Sequence, residues 1–187
     1  MVTTLINLGI KEILESRLDI LPHFLRKKSK FEGWLKFELA SYLENFLKMS
    51  SVEIEKKNEY NNSRCDISFI CNDIIFRVEL KTPNTNWKIG NGKSGGKPIT
   101  KNVNGIINDA KKLNCPNGIV SFVMFPIPMN NDSWKIYIER IIKETEIDIV
   151  ETDYELLNVK MEENECRILI CSFRSKLFSA KNEMVSS

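Results

Sequence analysis

Two acids and a lysine, Asp66, Glu79 and Lys81, are spaced so that a single β-hairpin would bring them onto one face. The segments 64–71 and 74–82 are rich in β-branched and aromatic residues. Only Asn72 and Asp73 separate them, a pair suited to a two-residue hairpin loop. With that loop, opposed residues have numbers summing to 145. Cys71 then faces Ile74, Phe69 faces Phe76 and Ile67 faces Val78, an apolar face for the core. The other face pairs Ile70 with Ile75, Ser68 with Arg77, Asp66 with Glu79 and Arg64 with Lys81. A slip of one residue would mix the two faces, so this register is favoured.

Opposed like charges destabilise a ladder unless something neutralises them. A hard divalent cation such as Mg2+ does so, accepting one or two carboxylates and leaving positions for water and phosphate. Lys81 emerges on the same face one step beyond Glu79. An ammonium there can orient water and offset charge developing on phosphate. Two carboxylates, a metal and a lysine suffice to hydrolyse a phosphodiester. The alternative is a solvated face on which Arg64, Arg77 and Lys81 balance the acids, and hairpin geometry alone leaves both readings open.

The elements around the hairpin alternate in period. A helical pattern (Leu5, Ile10, Ile13, Leu14, Leu18) closes near Pro22, and a second helix is predicted over 29–49 from Leu35, Leu39, Tyr42, Leu43 and Phe46. Ser29 is a plausible N-cap for it, with Glu32 as the capping-box acid. The stretch 52–56 alternates as a strand, 99–113 has helical spacing, and 118–125 is a nearly continuous apolar run, as in a strand buried on both faces. Another helix is expected over 133–144, and two or three short strands over 147–173.

Composition narrows the function classes. The chain has 187 residues, enough for a core without staples, and its 42% apolar and 28% charged content is that of an ordinary globular domain. A net charge of +2 excludes a basic nucleic-acid coat, so any phosphate binding must come from local clusters. Cys65, Cys71, Cys115, Cys166 and Cys171 contain no CxxC, and His23 is the single histidine, which argues against a zinc site and against Ser-His or Cys-His catalysis. The odd cysteine count, the lack of a basic-then-apolar N-terminus and the shortness of the apolar runs point to a cytoplasmic chain with no membrane span.

The strings Arg64-Cys65-Asp66-Ile67-Ser68-Phe69-Ile70 and Phe76-Arg77-Val78-Glu79-Leu80-Lys81-Thr82 together resemble the core motif of the PD-(D/E)XK nuclease superfamily. That superfamily includes restriction endonucleases, Holliday-junction resolvases and many repair and phage-defence nucleases. Its pattern is an Asp at the start of one strand and Glu-x-Lys in the next. Asp66, Glu79 and Lys81 match those three positions, and Cys65 stands where the name-giving pattern has proline. The matching region runs from about Glu32 to Phe125.

The resemblance implies an α/β fold: a restriction-endonuclease-like core with a mixed central sheet in αβββαβ order, flanked by helices. It implies one domain over 1–187, with its core at about 29–126, an N-terminal helix within 1–28 and a C-terminal helix and strands within 133–175. It implies metal ligation by Asp66 and Glu79, Mg2+ as cofactor with Mn2+ able to substitute, and nucleic acid (DNA before RNA) as substrate. Many members add a glutamate from the preceding helix, for which Glu32 and Glu38 are the candidates, as catalytic residues and metal ligands. At one hundred degrees per residue Glu32 falls near the centre of the apolar stripe and Glu38 near its edge, which favours Glu32.

Phosphate contacts are sought among Arg64, Arg77, Lys88, Lys93, Lys97, Lys101 and Lys112. Lys88, Lys93, Lys97 and Lys101 belong to a Gly- and Lys-rich loop that begins at Asn84, in which Trp87 is placed to stack on a base. Lys112 lies in Asp109-Ala110-Lys111-Lys112-Leu113, similar to a string in the corresponding helix of some nuclease-like families. Solvated surface is the competing reading for all of them, as for Arg26-Lys27-Lys28 and Lys30. With no separate recognition domain in view, a homodimer or a component of a larger defence, restriction or repair system is expected. Two rivals remain: a catalytically inactive nuclease-like module that binds nucleic acid or protein, and an unrelated α/β interaction protein.

Overall fold

The structure is a computed structural model that describes residues 2–27, 29–57, 64–87, 99–113, 115–161 and 164–176. In chain order its elements are α1 (Val2–Glu15), α2 (Leu21–Lys27), α3 (Glu32–Asn45), β1 (Ser50–Ile54), β2 (Ile67–Cys71), β3 (Ile74–Lys81), α4 (Thr100–Lys112), β4 (Gly118–Pro128), α5 (Trp134–Thr145), a 3-10 turn (Glu151–Asp153), β5 (Tyr154–Met161) and β6 (Asn164–Arg174). The strands form one six-stranded mixed sheet in the order β1-β2-β3-β4-β6-β5. Only β3 and β4 run parallel, with α4 as the crossover between them. The chain is thus α/β, with helices on both faces of the sheet.

The apolar pattern decides which helix covers which face. Leu35, Leu39 and Leu43 of α3 and Ile6, Ile10 and Leu14 of α1 bury against Ile67, Phe69, Phe76, Val78 and Leu80. Gly9 allows the two helices to approach, since a Cβ there would lie 2.7 Å from the Tyr42 ring. On the opposite face Val103, Ile106 and Ile107 of α4 and Ile138 and Ile141 of α5 bury against Val120, Phe122, Leu169 and Cys171. Strand β4 lies between these layers with every residue from Gly118 to Ile127 buried, as its apolar run predicts.

The hairpin register is the expected one over Ile67–Cys71, with Ile67 on Val78 and Cys71 on Ile74. Asn72 and Asp73 take φ of 49° and 60°, the mirror-image turn that matches strand twist. Four expectations change. Arg64 does not face Lys81: it bridges Lys57, and Cys65 donates to the Lys56 carbonyl (3.0 Å), so the chain before Asp66 extends β1 instead. Ser29 does not cap α3. Phe31 occupies that position with no side-chain acceptor to offer, and its own amide donates to the Thr82 hydroxyl (3.3 Å). Glu32 is therefore released from any capping box. The first helical pattern divides into α1 and α2, with Pro22 in the first turn of α2, where no intrahelical N–H is lost. The tail forms two long antiparallel strands rather than several short ones.

Among the described residues no helix is long and apolar enough to cross a membrane. All five cysteines are free thiols.

Candidate active site

Alternation along β3 sends Phe76, Val78 and Leu80 into the core beneath α1 and α3, leaving Glu79 and Lys81 toward α4. Beyond Lys81 the backbone is pinned to β4: the Pro83 carbonyl accepts from Phe125 (3.1 Å) and the Thr85 amide donates to Phe125 (2.7 Å). The Thr85 hydroxyl donates to the Pro126 carbonyl. These bonds fix the end of β3 on which the site is built.

Asp66 lies one residue before β2, where the ladder ends. Its Oδ2 accepts from the Leu80 amide (2.8 Å), which holds the carboxylate against the end of β3. Burial, followed by the charges of Asp66 and Asp109, pushes Glu79 up to about 8, and Lys81 opposes the shift only in part. Burial and its acidic neighbours thus make Glu79 resist ionising at neutral pH.

Lys81 stands 3.2 Å from Asp109 Oδ2 of α4 and 3.6 Å from Glu32 Oε1 of α3. Burial alone would lower its pKa, but Asp109 and Glu32 outweigh that and raise it. One turn along α3 from Glu32, Lys36 reaches Asp66 Oδ1 (3.4 Å) and Glu55 (2.8 Å). Burial acts to lower Lys36, and these two acids reverse the effect. Five acids (Asp66, Glu79, Glu32, Asp109, Glu55) thus surround two lysines, a group short of positive charge.

Sequence reasoning gave no role to Asp109, Lys36 or Glu55. For Asp109 a signal existed: it lies three residues past Ile106 at the edge of the buried stripe of α4, and its side chain is only 15% exposed. For Lys36 the signal was its four-residue spacing from Glu32. The other sequence candidates are distributed differently. Glu38 accepts from Trp34 Nε1 (3.1 Å) and lies 3.7 Å from Arg17, in a pocket between α1 and α3 and away from Lys81. Arg77 is buried at 4% exposure within the sheet layer, which takes it off the surface. Arg64 is exposed and 3.9 Å from Glu55. Lys112 is exposed on the last turn of α4, and Lys101 is exposed on the first. Trp87 is half-buried with its ring 5.8 Å from that of Tyr137. Lys88, Lys93 and Lys97 lie outside the described residues.

Among the described residues no three Asp, Glu, His or Cys side chains converge tightly enough to hold a metal as they stand. The donor chemistry nevertheless fits a hard cation. Asp66 and Glu79 offer only oxygens, and the raised Glu79 carboxyl marks a place short of positive charge. No family model, curated protein or solved structure matches the chain.

Proposed function

We propose that the chain is a metal-dependent nuclease that hydrolyses phosphodiester bonds, in DNA before RNA. The observation that carries this reading is the half-buried Asp66–Glu79 pair beside Lys81 at the end of β3, with Glu79 pushed up to about 8. A carboxyl raised strongly by burial and by charged neighbours is a mark of functional sites. The finer fold assignment rests on element order. From α3 to β4 the chain reads helix, three strands, helix, strand, the order implied by the PD-(D/E)XK resemblance.

Asp66 and Glu79 would hold Mg2+ or Mn2+, with Glu32 the nearer of the two helix acids, and the ion supplies Lewis acidity at phosphate and an acidified water. The remaining work falls to the chain itself. Glu79 would give up its proton to hold the ion. Lys81 presents an ammonium to a phosphate oxygen, and Asp109 and Glu32 keep it charged and aimed.

One observation favours a second reading, a nuclease-like module that binds nucleic acid without cutting. Lys36 already engages Asp66, and no three acids converge among the described residues. Supercoiled plasmid, single-stranded DNA and RNA, each incubated with the full chain and Mg2+ or Mn2+, separate the two. Cleavage that stops with EDTA and is lost in Glu79→Gln and Lys81→Ala, with folding intact by circular dichroism, supports the nuclease. A gel shift with no cleavage on any substrate supports the binding module.

A further inference from the structure

Beside the acid group, and sharing Lys81 with it, lies a pocket of about 220 Å³. It is lined by Lys30, Lys81, Thr82, Pro83, Lys101, Asn102 and Gly105, and no carboxylate lines it. This is the inverse of the neighbouring site, where acids outnumber lysines. Lys81 is already committed to Glu32 and Asp109. Lys30 and Lys101, which come from opposite sides of the sheet end, have no acidic partner among the described residues.

The walls are built rather than loose. Asn102 Nδ2 donates to the Asn84 carbonyl (2.8 Å), which fixes the first turn of α4 against the strand extension. Thr82 Oγ1 accepts from Phe31 and keeps its own proton free to donate. At Gly105 a Cβ would meet nothing within 4 Å, so this side of the pocket stays open. The amino end of the thirteen-residue α4 adds a favourable field for an anion.

We infer that this pocket binds a backbone phosphate of the nucleic-acid substrate, one next to the phosphate being cut, through Lys30 and Lys101 with Thr82 as a neutral donor. The identity of the polymer rests on the nuclease reading. The pocket's preference for a phosphate rests on its own charge. A contact of this kind positions substrate and carries no sequence information.

The test uses the full chain in EDTA, so that binding is read without cleavage. Fluorescence anisotropy of labelled oligonucleotides is followed from low to moderate salt for wild type, for Lys30→Ala/Lys101→Ala, and for the control Lys143→Ala/Lys160→Ala, whose lysines lie outside the pocket. The pocket double variant should bind all sequences about tenfold more weakly, with the slope of log affinity against log salt reduced by about one. Unchanged affinity and slope overturn the proposal, as does an equal loss in the control pair. Saturation of wild type by inorganic phosphate with no oligonucleotide binding also overturns it, assigning the pocket to a free anion. A chain that binds through the pocket but never cuts with Mg2+ fails the nuclease reading alone. One that cuts with unchanged KM in the pocket variant fails the subsite alone.

Discussion

Helix α3 carries acids at two levels, and their surroundings differ in kind. In its middle, each acid meets a donor: Glu38 accepts from Trp34 and lies near Arg17, and Glu12 of α1 accepts from the Tyr42 hydroxyl (2.9 Å). Burial together with Glu12 pushes Tyr42 up to about 12, so the phenol stays a donor at any physiological pH. At the amino end of the helix, acids meet acids. Burial and the charges of Asp66 and Asp109 raise Glu79, and Lys81 only partly offsets them. Matched acids hold two helices together and need nothing further. Mismatched acids persist in a fold when something outside the chain completes them, and their cost to stability is evidence of that use.

The largest effect expected is on the mismatched group. Glu79→Gln keeps the shape but cannot ionise to hold a metal, and should lower cleavage about a thousandfold in a plasmid assay with Mg2+, comparable to losing one electrostatic stabiliser of the transition state. The same substitution should stabilise the metal-free protein at pH 8, because it removes a carboxyl that resists ionising. A variant that loses activity and also loses stability would instead make Glu79 a structural member, like Glu38.

The pH dependence sharpens the contrast. Glu79 is raised from 4.5 to about 8 in the folded chain. Below pH 4.5 the group is protonated in both states, and its contribution to stability is fully present. Between 4.5 and about 8 the unfolded chain sheds this proton and the folded chain keeps it, so metal-free stability should fall, by up to about 1.4 kcal/mol per pH unit. Thermal melts in EDTA at pH 5, 6.5 and 8 read this directly. Glu79→Gln should flatten the fall, and added Mg2+ should reverse it most strongly at pH 8, where the proton competes least among the three.

How far this contrast could be read before the structure depended on whether it was local. The hairpin register followed from a two-residue loop and two-residue alternation, so Asp66 and Glu79 were placed together by chain geometry alone. Lys36 and Asp109 were not, because each reaches the site from a different helix and opposite faces of the sheet, a relation that no window of sequence contains. Ser29 misled for the same reason: Thr82, 51 residues from Phe31, takes the amide at the cap position. Arg77 read as solvent-facing because the hairpin was considered alone, whereas β4 pairs on its other side and the residue is buried in the sheet. Glu32 was favoured on stripe geometry. From the first turn of α3 it comes within 3.6 Å of Lys81.

The residues that aim Lys81 come next in size. Asp109→Asn and Glu32→Gln should each lower kcat/KM about tenfold to a hundredfold, the usual cost of losing a partner that orients a functional group. Both acids raise the Lys81 pKa, so either substitution lets it fall toward the value that burial favours. The alkaline limb of the pH–rate profile should therefore move to lower pH. A merely structural role would depress the rate equally at every pH.

The smallest effect belongs to the matched group, and it makes the comparison exacting. Glu38→Gln keeps an amide oxygen for Trp34 Nε1 and gives up only the 3.7 Å ion pair with Arg17, in which both side chains are partly exposed. Such a pair contributes a few tenths of a kcal/mol, about 1 kcal/mol at most, so the melting temperature should shift by no more than about 2–4 °C. Cleavage should be unchanged within about twofold, since no contact links Glu38 to Lys81 or Asp66. Glu38→Ala also removes the acceptor for a half-buried indole N–H and should cost about 1 kcal/mol more, again with no change in kcat. Glu32 and Glu38 are six residues apart on one helix, and the two Gln variants alter the same functional group by the same atoms. If Glu38→Gln were the variant that silenced cleavage and Glu32→Gln the silent one, the catalytic end of α3 would lie at the Tyr42 pocket and the acid pair at the end of β3 would need another explanation.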